Sequence, residues 1–222
     1  RYKIVKTKKI PVIKKEVDTT LLNDNHMHIG AVVGKNGSGK SSIIDIIYRI
    51  MNNVSAVLES KMGMEQLIFI DGLYGELFYN IGEVEYRVSC LNKVVSLSQI
   101  LDAKITELFK FEISETGINV KCGDICQARS YLEQLFYSIG TNYSVQSYLP
   151  SSYIEEIGYR VKAKSSNLMP DGDIWIKDVF KKNDGYVSPI VLNPYRRPDG
   201  VIDMENELEL TTDRLISILY YY

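Results

Sequence analysis

The residues of this chain whose types and spacing could do chemistry lie in one short segment, GKNGSGKSS at positions 34–42. Its pattern G-x-x-x-x-G-K-S is typical of a phosphate-binding loop, in which small residues let backbone N–H groups approach an anion. The glycines that provide this room are Gly34, Gly37 and Gly39. Lys40 is placed to reach the β- and γ-phosphates, Ser41 to give its hydroxyl to Mg²⁺, and Ser42 to contact the α-phosphate. The segment therefore predicts a site for ATP with Mg²⁺.

A P-loop ATPase also needs a carboxylate at the end of a buried strand, the Walker B position. The apolar run at positions 67–70 followed by Asp71 has this form. However, Gly72 stands where a glutamate is expected, and the run comes soon after the loop. We therefore interpret Asp71 and Gly72 as a β-turn.

Bulk composition excludes several classes of protein. Hydrophobic residues make up 45% of the 222 and charged residues 24%, which is ordinary globular usage. The net charge of −2 excludes a strong overall positive field of the kind that binds nucleic acid. No apolar run is long enough to cross a bilayer, so we expect no membrane association.

The three cysteines, Cys90, Cys122 and Cys126, do not suggest a disulfide framework, and no signal peptide is recognisable. We expect a cytoplasmic protein. The spacing of Cys122 to Cys126 and of His26 to His28 is not followed by a second paired cluster, which argues against a zinc site.

The elements around the loop come in the order that a P-loop requires. An apolar strand at 28–33 leads into the loop, and an amphipathic helix at 41–58 follows it. Period-two alternation then predicts an antiparallel meander with strands at 67–70, 73–79 and 84–88. This order predicts an α/β fold with an inserted antiparallel part, in a single domain over residues 1–222.

The rest of the chain alternates between helical and extended patterns. Helical spacing favours helices at 98–108, 125–138, 153–160 and 205–222. Alternation or short apolar runs favour strands at 111–120, 141–148 and 189–192. The segment 175–180 is compatible with either a short helix or a strand.

With Asn36 before Gly-Ser-Gly-Lys-Ser, the loop resembles the Walker A loop of the SMC and RecF group of ABC-type ATPases. The helix beginning SSIIDIIYRIM and the meander after it also match this group. The resemblance covers about the first ninety residues. It implies an ABC-ATPase head, with a central sheet, an inserted antiparallel β-subdomain and helices, and an ATP-linked head-to-head homodimer with a DNA-directed role.

A later segment, KNDGYVSPIVLNPYRRPDGVID at 182–203, and the helix containing positions 212–215 are similar to ATPases of bacterial anti-phage systems, the Septu and retron-associated PtuA type. This resemblance implies an oligomeric ATPase that restrains an HNH-type nuclease, PtuB. In retron systems it further implies contact with a reverse transcriptase bound to its RNA–DNA hybrid.

Carried over residue by residue, the resemblance implies contacts to ATP or Mg²⁺ from the loop residues Asn36, Gly37, Ser38, Gly39, Lys40, Ser41 and Ser42. It also implies a Q-loop glutamine that binds Mg²⁺ and senses the γ-phosphate from the end of a strand. Gln146 in TNYSVQSY fits this position, and Gln99 is the rival.

The chain departs from the family in three respects: an LSGGQ-like signature, an Asp-Glu Walker B and a switch histidine are not found after residue 150. Either the chain is incomplete or it senses nucleotide without hydrolysis, and the apolar ending LISILYYY favours the first explanation. Hydrolysis would then depend on residues outside the chain and on a second protomer. Two other functions stay open: a RecF- or SMC-type DNA repair or chromosome-maintenance ATPase, and a P-loop kinase or transferase that uses Asp71.

Overall fold

The structure is a computed structural model, which describes residues 33–60, 67–102, 104–114, 117–142, 148–156, 158–161, 174–179, 189–194, 197 and 201–221. The chain divides into two compact units, residues 1–40 and 41–222. In the first unit only residues 33–40 are described. The predicted strand at 28–33 therefore lies almost wholly outside the described residues.

The described helices are α1 (Lys40–Glu59), α2 (Ala128–Glu133) and α3 (Met204–Tyr221). Short 3₁₀ helices cover Ile125–Gln127, Pro150–Tyr153 and Trp175–Val179. The strands are β1 (Ile68–Ile70), β2 (Tyr74–Ile81), β3 (Val84–Leu91), β4 (Val94–Leu101), β5 (Lys104–Ser114), β6 (Gly117–Cys122), β7 (Ser138–Thr141), β8 (Gly158–Arg160) and β9 (Ile190–Asn193). The predicted helices at 41–58 and 205–222 are confirmed by α1 and α3, and the segment 175–180 contains a 3₁₀ helix.

Helix α1 changes character along its length. Its first half exposes Ile43, Ile44 and Ile46, whereas every residue from Ile50 to Glu59 is buried. The buried half includes two consecutive asparagines, Asn52 and Asn53, at positions where an amphipathic pattern does not predict polar side chains.

These asparagines complete the edge of strand β1. Asn53 Nδ2 donates to the carbonyl oxygen of Ile70 at 2.8 Å, and the Ile70 amide donates to Asn53 Oδ1 at 2.7 Å. Asn52 Nδ2 donates to the Ile68 carbonyl oxygen at 2.7 Å. Because a buried strand edge needs hydrogen-bond partners, the two side chains take the part of a neighbouring strand and attach β1 to the helix.

Strand β1 does not belong to the predicted meander. It pairs antiparallel with β8, from Ile68 opposite Arg160 to Ile70 opposite Gly158. The helix predicted at 153–160 is therefore wrong, because a strand occupies the end of that segment. Gly158 permits the pairing: a Cβ there would lie 2.4 Å from Ile68 Cγ2.

Strands β2 to β6 form a five-stranded antiparallel sheet in chain order. One face is apolar and buried, with Val88, Leu97 and Phe109 in one row across three strands. The opposite face includes polar residues, among them Ser89 and Ser96, whose hydroxyl oxygens lie 2.7 Å apart.

The helix predicted at 98–108 is wrong, since this stretch is the end of β4 and the start of β5. Its apparent helical spacing spans a hairpin turn, in which Asp102 adopts a left-handed φ of 49°. The strand predicted at 111–120 is likewise two strands, the end of β5 and most of β6. The helix predicted at 125–138 is found only over Ile125–Gln127 and Ala128–Glu133.

Strands β7 and β9 pair in parallel, with Ser138 opposite Ile190 and Thr141 opposite Asn193. The buried run predicted at 189–192 is thus confirmed as a strand. Helix α1 packs directly on β7, because a Cβ at Gly140 would lie 2.4 Å from Tyr48 Oη.

The described residues give mixed α/β content with one parallel strand pair. The assignment to an ABC-type ATPase head stays a prediction. Within the described part of the chain, no helix is both long and apolar enough to span a membrane.

Candidate functional site

The loop before helix α1 is shaped by its glycines. Gly37 and Gly39 have φ angles of 76° and 84°, and Ser38 between them does not have a positive φ. An L side chain is strained in this left-handed region, which glycine adopts freely. Alternating signs of φ orient successive N–H groups toward a common concavity, the nest that binds anions in phosphate loops.

The loop is also closed on itself. The Ser38 amide donates to the Lys35 carbonyl oxygen at 3.2 Å. A Cβ at Gly34 would lie 2.6 Å from Ser38 Oγ, so the approach of these residues requires glycine. Lys40 Nζ donates to the carbonyl oxygens of Gly34 and Lys35, each at 2.8 Å. The ammonium group therefore lies over the loop, on acceptors that phosphate oxygens could replace.

The other loop residues that were predicted from the sequence are accessible. Asn36 and Ser38 are exposed, and Gly39 and Lys40 are half-buried. Ser41 and Ser42, the first residues of the second unit, are exposed in the first turn of α1.

Ser41 lines a cleft of about 310 Å³, which we call the Ser41 cleft. Its walls include Ser41 and Asp45 from α1, Thr141 and Asn142 from the end of β7, and Tyr48 and Tyr153. Because the carboxyl ends of parallel strands are where α/β proteins bind ligands, the polar residues after β7 lie at a favourable edge of the sheet. The cleft brings this edge and the predicted Mg²⁺ ligand together.

The two glutamines predicted as Q-loop candidates, Gln99 and Gln146, are compared by whether they lie at the end of a strand. Gln99 lies within β4, opposite Tyr86 and Thr106, and not at a strand end. Gln146 lies outside the described residues. The nearest described residues on either side of it in sequence, Asn142 and Tyr148, both line the Ser41 cleft. The Gln146 assignment stays a prediction.

The donor atoms in the Ser41 cleft suit Mg²⁺. They are hydroxyl, amide and carboxylate oxygens, the hard ligands that this ion prefers. No group of three or more His, Cys, Asp or Glu side chains arranged to hold a metal is found among the described residues. Mg²⁺ commonly binds through few protein ligands together with substrate phosphates and water, so this site fits a metal that arrives with a nucleotide.

Asp45 is the charged residue of this cleft, and its pKa is raised. The main cause is burial, which disfavours the carboxylate; Arg49 opposes the rise and Glu156 adds to it. Asp45 was not predicted as a site residue, although it follows Ser41 by four residues, a spacing that places both on one helix face.

Arg49, one further turn along α1, is held by an arrangement that we call the Arg49 clamp. Its guanidinium donates to Glu156 at 3.1 and 2.6 Å and lies 5.4 Å from the ring centroids of both Tyr153 and Trp175. Trp175 Nε1 donates to the same carboxylate at 2.7 Å. The clamp fixes the wall of the Ser41 cleft that contains Tyr153.

Asp71 lies in a different cleft, of about 430 Å³, with Arg49 and Glu156. Gly72 has a φ of 72°, and its amide donates to Asp71 Oδ1 at 2.9 Å. The predicted Asp-Gly turn is thus confirmed. Since Ser41 and Asp71 line different clefts, the geometry does not favour Asp71 as a Walker B carboxylate.

Comparison of the chain with protein-family models, with curated proteins and with solved structures found no match. The chemistry of the site is therefore inferred from its own residues. The loop, in the first unit, is a candidate site for a phosphate ligand. The Ser41 cleft, in the second unit, is a candidate site for a divalent cation.

Proposed function

We propose that this chain binds ATP with Mg²⁺ through residues 34–42 and works as the nucleotide-binding subunit of an ATPase. The observation that carries this proposal is the conformation of the loop, with Gly37 and Gly39 at positive φ and Lys40 Nζ on two loop carbonyls. This backbone presents N–H groups to an anion and keeps a cation beside it.

Each residue then has a definite task. Lys40 exchanges its two carbonyl acceptors for phosphate oxygens, and the Ser41 hydroxyl binds Mg²⁺, which neutralises phosphate charge when bound. Thr141 and Asn142 supply polar atoms to the Ser41 cleft. Gln146 would add a further ligand for Mg²⁺.

The finer assignment is an SMC- or RecF-like ATPase of the ABC type. It is supported by the form of the loop, by helix α1 after it and by the five-stranded antiparallel sheet that comes next in the chain. None of the described strands ends in Asp-Glu. In this proposal the chain binds nucleotide by itself, and rapid hydrolysis needs residues beyond those described and a second protomer.

The cellular role that we propose is anti-phage defence of the Septu and retron PtuA type. It depends on the resemblance of residues 182–203 and of the following helix. Nucleotide binding would control a head-to-head homodimer that regulates a PtuB-like HNH nuclease. In a retron setting the complex would include a reverse transcriptase with its RNA–DNA hybrid.

The first test is calorimetric titration of the full chain with ATP and Mg²⁺, beside Lys40→Ala and the matched control Lys35→Ala. Loss of the charge-assisted contacts of Lys40 should weaken binding by about 10- to 100-fold. Lys35 contributes a carbonyl to the loop and its side chain is exposed, so its variant should stay within about threefold of the unmodified chain. Failure of the unmodified chain to bind would refute the proposal.

The second test addresses assembly. Light scattering coupled to size exclusion should report a larger mass with ATP and Mg²⁺ than without, and this change should be absent in Lys40→Ala. If ATP binds but the mass does not change, nucleotide binding stands and the ATP-linked dimer does not.

A further inference from the structure

Ser41 and Asp45 lie on the same face of helix α1 and line the same cleft. Residues four apart on a helix are neighbours, and each Cα–Cβ bond tilts toward the helix N-terminus. The Asp45 side chain is thus displaced toward the turn that contains Ser41. The end of β7 closes the cleft with Thr141 and Asn142.

Arg49, the cationic side chain one turn from Asp45, forms its hydrogen bonds with groups other than the Asp45 carboxylate. Arg49 donates through Nε and Nη2 to Glu156, and through Nη1 to the backbone carbonyl of Asp45 rather than to its carboxylate. Its guanidinium is further held by two aromatic rings. Among the described residues, no hydrogen bond or ion pair to the Asp45 carboxylate is found.

The Asp45 side chain is half-buried, and partial burial disfavours the charged form of a carboxylate. The positive end of the helix dipole stabilises acidic side chains only in the first turn of a helix. Asp45 lies beyond the first turn of α1, which has no acidic residue, so the dipole does not explain its position. Burial raises the Asp45 pKa, with Arg49 opposing the rise. A cation in the cleft would offset this cost.

The spacing suits a contact through water. Successive turns of a helix are about 5.4 Å apart, and Mg²⁺ binds its own ligands at about 2.1 Å. A water on an ion that Ser41 binds would lie within this spacing and could donate to a carboxylate oxygen at about 2.7 Å. Mg²⁺ usually keeps several of its waters in proteins.

We propose that Asp45 is a positioning residue for the hydrated Mg²⁺ of the bound Mg–ATP, accepting hydrogen bonds from water on the ion that Ser41 binds. This inference rests on the proposed function. It gives the chain a carboxylate at the metal site that belongs to the P-loop helix itself, and not to a strand end.

The test is the effect of Mg²⁺ on ATP affinity in Asp45→Asn, with Asp71→Asn as the matched control in the other cleft. Dissociation constants for ATP are measured in Mg²⁺ and in EDTA, and their ratio gives the gain in affinity from the metal. Asp45→Asn should reduce this gain by about tenfold or more, as loss of an outer ligand partner does. Its affinity in EDTA should be unchanged or higher, because a negative charge near the phosphates is removed. Asp71→Asn should keep the gain of the unmodified chain.

A structural role predicts different results. If Asp45 only supports the helix, Asp45→Asn will lower the unfolding midpoint without nucleotide and weaken ATP equally in Mg²⁺ and EDTA. That result, or a Mg²⁺ gain within about twofold of the unmodified chain, overturns the inference while ATP binding stands. If the unmodified chain binds no ATP, the proposed function itself fails. Should Asp45→Asn not fold, Asp45→Ser must give the same loss of the Mg²⁺ gain.

Discussion

At the scale of single residues, Arg49 connects helix α1 to two segments that are distant in sequence. It contacts Glu156, Tyr153 and Trp175, and these residues also contact one another: Trp175 donates to Glu156, and its ring meets Tyr153 edge-on at 5.7 Å. Guanidinium is suited to this position because it forms paired hydrogen bonds and stacks on aromatic faces at the same time.

Arg49→Ala should therefore lower the free energy of unfolding by about 2 kcal/mol. The pair is mostly buried, with 18% and 25% of the side chains exposed, and its removal leaves the Glu156 charge without its cation. Urea unfolding followed by tryptophan fluorescence measures this directly, since Trp175 is the sole tryptophan of the chain.

The control is Arg129→Ala, which removes an ion pair to Glu133 whose side chains are 82% and 69% exposed. This change should cost less than about 0.5 kcal/mol. Equal effects of the two variants would mean that the clamp contributes no more than a surface pair.

At the scale of elements, the contact between helix α1 and strand β7 depends on the absence of a side chain at Gly140. A Cβ there would lie 2.4 Å from Tyr48 Oη and 2.7 Å from Leu192 Cδ2. The Tyr48 ring also packs edge-on against Tyr148, at 6.2 Å between centroids. Since Tyr48, Tyr148 and Thr141 line the Ser41 cleft, this packing sets the distance between its two walls.

Gly140→Ala should destabilise the chain by about 2 kcal/mol or more through overpacking, with a lower thermal midpoint. Adding Tyr48→Leu should recover part of the loss, because the pair is in contact and its effects are not additive. Gly72→Ala is the matched control: no atom lies within 4 Å of its Cβ position, so only the strain of its positive φ is expected, about 1 kcal/mol. Strict additivity of Gly140→Ala and Tyr48→Leu would contradict the predicted contact.

The same elements show what the sequence can and cannot predict. The period of α1 and α3 and the glycine pattern of the loop are local, and both helices were predicted within one residue at each end. Strand β1 was recognised as a strand but given the wrong neighbours, because pairing with β8 depends on a contact distant in sequence. The role of Asn52 and Asn53 was not predictable for the same reason.

The candidate site residues also differ in whether local sequence or distant contacts determine them. The loop is a contiguous motif, whereas in the Ser41 cleft Thr141 and Asn142 reach Ser41 only through the packing of β7 on α1. Asp45 could have been found from its helical spacing, but not its lack of a hydrogen-bond partner. That feature depends on Glu156, more than a hundred residues away, holding Arg49.

At the scale of the whole molecule, several buried or partly buried side chains have pKa values raised above their ordinary values. Burial raises the pKa of the Cys90 thiol from 9.0 to about 11 and that of Tyr153 from 10.0 to about 12. Burial likewise raises the pKa of four further tyrosines, Tyr48, Tyr79, Tyr148 and Tyr159. Each group keeps its proton in the folded chain at a pH where the unfolded chain releases it.

This difference predicts the direction of the alkaline response. Above pH 9 for Cys90 and above pH 10 for the tyrosines, the unfolded state binds fewer protons than the folded state, so stability decreases as pH rises. The full contribution is present below these values and is lost progressively toward the raised pKa values. Urea midpoints should therefore be lower at about pH 10.5 than at about pH 8.

The tyrosinate absorbance of the folded chain tests the cause. Four of the 16 tyrosines, Tyr79, Tyr148, Tyr153 and Tyr159, should ionise only when the chain unfolds, as a late step that coincides with loss of the circular dichroism signal. Tyr153→Phe removes one such hydroxyl, so the fall in urea midpoint over this pH range should be smaller in that variant. If all tyrosines ionised together near their ordinary pKa while the chain stayed folded, these hydroxyls would be in contact with water, and their burial would not be the cause of the alkaline response.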